Sequence, residues 1–367
     1  MANMNIRTPR FYIDYINFMS SRDSAGGHYG IETSSSTGEQ IDVVTGNNVA
    51  ELYDMKPLNQ VEFNTTGNTD GHVNLWIDFK SNAFNVDFIA ILNHNCQRAN
   101  AKIRVSSSNT FDDVKTVDHT GSDNTESSNV LTEILGSGAI INNKAFMVDA
   151  SDHSWGKGHT IFTMPQHGDD DRYFGIQFEG TNGLTDGSVA NNNGTFDASN
   201  NLRIGSILLG QFYDMPQSPD LSVKRSISFD GVNIQESLGG QKYATMTNHG
   251  RKNIVDDNKS PFHTYFNSFG AYGGRISYDM KFSYISSTDL MPDNYNEFQN
   301  SDSAIVEDMW NKTNGSHIPF IFTQDGSASL PHSEADYLFA RFAQNSLSMT
   351  QVAPDVFDVS MKIEEEF

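Results

Sequence analysis

At 367 residues the chain exceeds the usual reach of one hydrophobic core, and two domains are the natural expectation. Lys+Arg number 24 against 46 Asp+Glu, a net charge of −22, which argues against a role that grips a phosphate backbone electrostatically and so against sequence-specific nucleic-acid binding. A single cysteine, Cys96, excludes an intrachain disulfide framework, and the polar opening Met1–Arg10 with short apolar runs such as Phe88–Leu92 predicts a soluble chain without membrane insertion.

Abundant Asn, Ser, Gly and Asp with 11% aromatic residues fit short strands joined by turns, so the expected class is all-β to β-dominated α+β. Residues 1–50 are expected as an irregular N-terminal arm, rich in Ser, Gly and Thr over Asn17–Asn48, with one short strand around Phe11–Phe18. Residues 51–215 are expected as an antiparallel β-sandwich with long loops. Val73, Leu75, Ile77 and Phe79 alternate with Asn74, Trp76 and Asp78, which is strand period. Val86–Leu92 is almost wholly apolar and predicts a central strand covered on both faces. Ala101–Val105, the alternation at Phe174, Ile176 and Phe178, and Ile204–Leu209 supply further strands. Asp112–Asn129 and Gly180–Asn201 read as long loops, with a short helix around Asn129–Leu135.

Pro216 and Pro219 cannot continue a ladder, so 216–224 is expected as a linker and 225–367 as a second β module. There Arg225–Phe229 leads through Asp230-Gly231, a hairpin-type pair, toward Tyr243–Thr247. Ile276–Tyr284 carries a large apolar residue at every second position, with Ser277, Asp279, Lys281 and Ser283 facing away. Ser301–Lys312 predicts a helix, from its capping residues and from Ile305 and Met309 four apart. Pro319–Phe322 is a short strand, Glu334–Phe342 is either a helical turn or a strand, and Phe357, Val359, Met361 and Ile363 alternate in a last strand.

Motifs of familiar reaction chemistry are missing: the sequence holds no nucleophile elbow, H-E-x-x-H, Walker loop, C-x-x-C or G-x-G-x-x-G. No enzyme activity and no cofactor are therefore expected. Asp169, Asp170 and Asp171 are candidates for calcium, although an acidic solvated loop accounts for them more simply. His153 and His159 flank Trp155 at a spacing that matches no metal pattern. Glu179, Asp186 and Asp197 fit a glycosidase pair only in the loose sense that any acidic chain does. No internal repeat of the kind that builds a β-helix is visible.

Phe88–Asn95, Ala101–Ser108 and the closing Leu202–Gly210 resemble the discoidin-like sandwiches of tailed-bacteriophage virion proteins. Ser226–Phe229, Leu238-Gly-Gly240, the helix through Trp310, Pro319–Phe322 and a final strand ending in Glu364-Glu-Glu look like the tail-tube-type modules of phage distal tail and baseplate rings. The acidic, Asn- and Asp-rich composition is similar to that of marine phage proteins. The resemblance spans Val73–Phe367. It implies a virion structural protein, assembled in the host cytoplasm, that joins copies of itself and other tail proteins into a ring of six-fold or related symmetry. It places the assembly surface at Ile276, Tyr278, Met280, Phe282, Phe357, Val359 and Met361. An alternative is a glycan-binding module for host attachment, with Trp155 and Tyr173 as its aromatic platform.

Overall fold

Alternating apolar positions build most of the regular structure. The computed structural model describes residues 7–21, 28–31, 40–69, 71–80, 86–96, 98–111, 114, 130–134, 146–147, 158–163, 171–180, 195–229, 232–246, 275–292, 305–326 and 337–366. In the first part of the chain the strands are β1 Arg10–Asp14, β2 His28–Ile31, β3 Val61–Phe63, β4 His72–Asp78, β5 Phe88–His94, β6 Ala101–Ser108 and β7 Val130–Ile134. They continue with β8 Phe146–Met147, β9 Gly158–Thr163, β10 Tyr173–Gly180, β11 Leu202–Ile204 and β12 Ser206–Asp214. The second part holds β13 Lys224–Ser228, β14 Val232–Glu236, β15 Lys242–Met246, β16 Arg275–Ser286, β17 Phe320–Thr323, β18 Tyr337–Phe342, β19 Met349–Ala353 and β20 Val356–Glu365. Helices are short: α1 Tyr15–Ser20, α2 Ser287–Leu290 and α3 Ile305–Lys312, with a 3-10 turn at Val49–Tyr53. The fold is β-dominated, as expected, and its strand ladders are antiparallel.

An 11-stranded sheet runs β13-β16-β20-β18-β17-β1-β12-β5-β9-β8, with β19 added to β20, and a five-stranded sheet runs β2-β4-β10-β6-β7. Val73, Leu75 and Ile77 of β4 and Phe174, Ile176 and Phe178 of β10 share one core with Ile89 and Ile91 of β5 and Ile207 and Leu209 of β12, so the two sheets face each other. Alternate residues of β5 and β12, namely Phe88, Ala90, Leu92 and Leu208, meet Tyr12, Ile321 and Phe339 on the opposite face. The nearly continuous apolar run in β5 therefore reflects cover on both sides, as expected.

Several expectations are corrected. Residues 10–20 are no loose arm: β1 pairs antiparallel with β12 along Arg10–Asp14 and with β17 along Arg10–Tyr12, and α1 follows it directly. The segment 130–134 is a strand on β6, where a helix was expected; its β-branched Val130 and Thr132 favour that state. Ile204–Leu209 is two strands broken at Gly205, where any Cβ would collide with the Pro57 carbonyl oxygen. Glu334–Phe342 resolves as β18, and β14 lies in a stretch that the hydrophobic pattern left unassigned. The division at 216–224 breaks the chain path between β12 and β13, whereas the large sheet continues across it through β1 and β17.

Besides the shared apolar core, in which Phe11 packs on Phe320 and Phe322, a buried polar network joins the two parts. The Lys312 ammonium, 1% exposed, donates at 2.9 Å to Tyr15 Oη, Tyr213 Oη and Asp308 Oδ2, using all three of its protons. Tyr213 donates to Asp308 at 2.6 Å and Tyr15 donates to Gln211 at 2.7 Å, so α1, β12 and α3 meet in one closed network. Burial lowers the Lys312 pKa, but Tyr15 and Asp308 outweigh it and hold the ammonium charged; burial raises both tyrosines and keeps them neutral. Close by, Asp14 caps α1 by accepting from the Ile16 and Asn17 amides and takes the Leu209 amide of β12 as well.

Replacing Lys312→Met leaves a nearly buried Asp308 carboxylate without its cation, and urea unfolding should show a loss of about 3–5 kcal/mol. Burial pushes the Asp14 carboxyl up to about 6 despite its hydrogen bonds, above the unfolded value of about 3.9. Between those values the folded chain holds the proton more tightly than the unfolded one, so this group's contribution to stability falls as pH rises from about 4 to 6 and is level beyond. Denaturant titrations from pH 4 to 7 should show wild type losing on the order of 3 kcal/mol relative to Asp14→Asn across that window.

Candidate assembly surface

Strands β13, β16, β20 and β19 lie side by side in that order. In β16 the side chains of Tyr278, Met280 and Phe282 are buried while Asp279 and Lys281 are exposed, and Met280 lies opposite Met361 and Phe282 opposite Val359 of β20. These five residues, expected to form the contact between copies, instead face the protein's own core with Val306 and Met309 of α3 and Phe320 and Phe322 of β17. Tyr278 packs its ring 5.5 Å from Phe322 and accepts from Gln324 Nε2 at 2.8 Å. Ile276 and Phe357 are partly buried against the same core. Alternation marks a buried face without naming its cover, and here the chain covers that face itself.

The alternation in β16 fails at its far end. Its register with β20 shifts between Phe282 and Ile285, a bulge at which Tyr284 takes φ 65° and points its ring out, 74% exposed. The Tyr284 amide donates to Asp358 Oδ1 at 3.2 Å, and Lys281 pairs with the same carboxylate at 2.7 Å, pinning the bulge.

Exposed large apolar side chains among the described residues all fall in the second part of the chain: Leu221, Ile227, Phe229, Val232, Ile234, Leu238, Tyr243, Tyr284 and Val352. Most belong to β13 and to the β14–β15 hairpin. That hairpin pairs with no third strand among the described residues, its residues 232–236 and 242–245 are all exposed, and Leu238 stands fully exposed at the tip. Gly240, at φ 81°, and the Ser237 and Gln241 backbones, bonded at 2.9 Å, close the turn. A two-stranded ribbon is only marginally stable in water by itself, and this one leaves Val232, Ile234, Leu238 and Tyr243 exposed. The outer edges of β13 and β19 are also unpaired among the described residues. The signal for β14, Val232-x-Ile234, was present in the sequence but too short to stand out.

The remaining sequence-level candidates separate. Asp169, Asp170, Trp155, His153 and Asp186 lie outside the described residues, as does the His159 side chain. Asp171 accepts from Ser107 Oγ, and no group of three His, Cys, Asp or Glu stands close enough to hold a metal among the described residues. Glu179 is fully buried in β10, whereas Asp197 lies in a surface turn where the Ser199 amide and the Asn200 side chain hold its carboxyl below the ordinary range. Tyr173 is half-buried: its ring lies 5.4 Å from Phe111 and 4.6 Å from the Arg172 guanidinium, and Phe111 is 4.9 Å from Trp76. Trp76, on the outward face of β4, is thus the tryptophan brought toward Tyr173. Cys96 is buried and burial raises its thiol pKa, which makes it unreactive.

Compared with protein-family models and with curated proteins, the chain matches none.

The contrast between core and surface is measurable. Met280→Ala should cost about 2–5 kcal/mol in urea unfolding, while Leu238→Asp should stay within about 0.5 kcal/mol of wild type.

Proposed function

We propose that this chain is a structural component of a bacteriophage tail, of distal-tail or baseplate ring type, that works through protein contacts around the tail channel. The reading starts from the resemblance of its two parts to discoidin-like and tail-tube-type modules. The observation that carries it is that, among the described residues, the exposed large apolar side chains all fall in the second part, on β13, the β14–β15 hairpin and the bulge end, beside the open edges of β13 and β19. β13 and β19 occupy opposite flanks of the β16–β20 pair, so an edge of one copy can add to the other edge of the next. Two different edges make a heterologous contact, and that contact closes into a ring when the rotation per copy divides a full turn. The flanking strands are also staggered, with β13 along residues 275–279 of β16 and β19 along residues 356–359 of β20, a stagger of the kind that tilts strands in a closed barrel. A net charge of −22 suits a channel through which DNA slides without being held.

A glycan-binding module is the second reading, favoured by the Trp76–Phe111–Tyr173 group beside Arg172. Light scattering coupled to gel filtration, with negative-stain imaging, separates the two. Under the ring reading the full chain forms closed rings, and Ile227→Asp with Val352→Asp disperses them without changing the far-ultraviolet circular dichroism. A strict monomer that binds host polysaccharide and loses it on Trp76→Ala would replace that reading with the second.

A further inference from the structure

Residues 7–21, which hold β1 and α1, are seated by elements from far along the sequence. β1 fills the gap between β12 and β17, pairing with the first along Arg10–Asp14 and with the second along Arg10–Tyr12. Its side chains alternate into two pockets. Phe11 enters one beside Phe320, Phe322 and Phe342, with ring centroids 5.4, 5.3 and 6.2 Å away, and Tyr12 enters the other against Phe88 and Phe212 at 5.1 and 6.1 Å. From α1, Tyr15 donates to Gln211 and accepts from Lys312, and Ser21 just beyond the helix accepts from Asn314 Nδ2 at 2.8 Å. Phe11, Ile13, Tyr15, Ile16, Phe18 and Met19 are all buried.

These contacts define a slot whose walls do not depend on what fills it. β12 has a second ladder with β5 and β17 has a second ladder with β18, so both walls stay in sheets when β1 leaves. Two strand edges then face each other roughly 10 Å apart, twice the spacing of paired strands, and each offers a row of backbone donors and acceptors. The slot also selects its occupant. Gly210 leaves the space that the Ile13 carbonyl oxygen takes, Asp214 holds the Arg10 guanidinium through two bonds of 2.7 Å, and Asp325 lies 4.0 Å from Arg7. Each arginine of the segment thus meets an aspartate of the slot. This is the chemistry of strand addition, in which ladder bonds give affinity and pockets for alternate side chains give choice.

We propose that the slot between β12 and β17 is an exchangeable strand-docking site, in which residues 7–21 of a second copy seat as the chain's own do. An identical segment meets Gln211, Asp214, Lys312, Asn314 and Phe322 in the same way whichever copy supplies it, which is what makes the exchange of an element between protomers low in cost. Strand and helix move as one unit, because the Asp14 carboxyl accepts from the Ile16 and Asn17 amides of α1 as well as from the Leu209 amide of β12. The exchange goes beyond the ring reading and holds whether or not rings form.

A fluorescent peptide of residues 7–21, incubated with the full-length folded chain, tests the site. The label should co-migrate with the protein on gel filtration, and incorporation should rise several-fold in urea below the unfolding transition, which populates the opened form. The same peptide carrying Phe11→Asp should not incorporate, since it would bury a carboxylate among Phe320, Phe322 and Phe342. No incorporation of the native peptide at any sub-denaturing urea concentration overturns the proposal, and so does equal incorporation of both peptides, which marks adhesion to the outer surface. Two full-length variants then test a second copy as the source. Tyr12 and Phe212 are paired across β1 and β12, so Tyr12→Cys in one chain and Phe212→Cys in the other should oxidise to a covalent heterodimer on mixing, while neither variant alone dimerises. Cys96 is buried and takes no part. A mixture that stays monomeric on a non-reducing denaturing gel overturns exchange between copies.

Discussion

Strand β1 carries hydrogen-bonding groups along both edges, and it satisfies them against β12 from the first part of the chain and β17 from the last. That double pairing turns two sets of strands into one large sheet. Everything near it serves the same junction. Gly210 has no side chain because the Ile13 carbonyl oxygen occupies the space a Cβ would take. Arg10 grips Asp214 with two hydrogen bonds of 2.7 Å and lies over the Phe212 ring. The Lys312 network then ties the helix of the second part to α1 and β12. A fragment ending before residue 220 would lose β17 and α3, and with them one edge of β1 and the cation of the buried network.

The junction bears on the proposed assembly. With β1 fixed in the middle of the sheet, the first part supplies a two-sided core at β5 and β12, while the ribbon of β13, β16, β20 and β19 forms the opposite end of the same sheet. One face of that ribbon is sealed by α3, β17 and β18. What it leaves open among the described residues is the outer edges of β13 and β19 and the exposed side chains Ile227, Tyr284 and Val352.

The strand inventory was legible wherever one face of a strand is buried, because the pleat writes that fact into the sequence at period two: β4, β5, β10, β16 and β20 were each recognisable from their own residues. Helix α3 was legible from its capping and spacing. Less readable was β1, since Phe11-Tyr-Ile13 is too short to distinguish a central strand from an arm. The site was misplaced for a related reason. Met280, Phe282, Val359 and Met361 announced a buried face, and burial by a neighbour and burial by the chain's own helix leave the same pattern. Tyr284 followed the alternation in the sequence and left it in space, because a bulge shifts the register by an amount that no period reveals.

The sequence by itself determined the β-dominated class, most strand positions, the helix at Ile305–Lys312 and the strongly acidic surface, all of which follow from local composition and spacing. Tertiary structure alone decided that the two parts share a sheet, that the expected contact residues are core, and that the exposed apolar surface lies on β13, the hairpin and the bulge end. Those outcomes depend on which distant segment covers each face and pairs each edge, and a side chain's own identity carries no record of its partner.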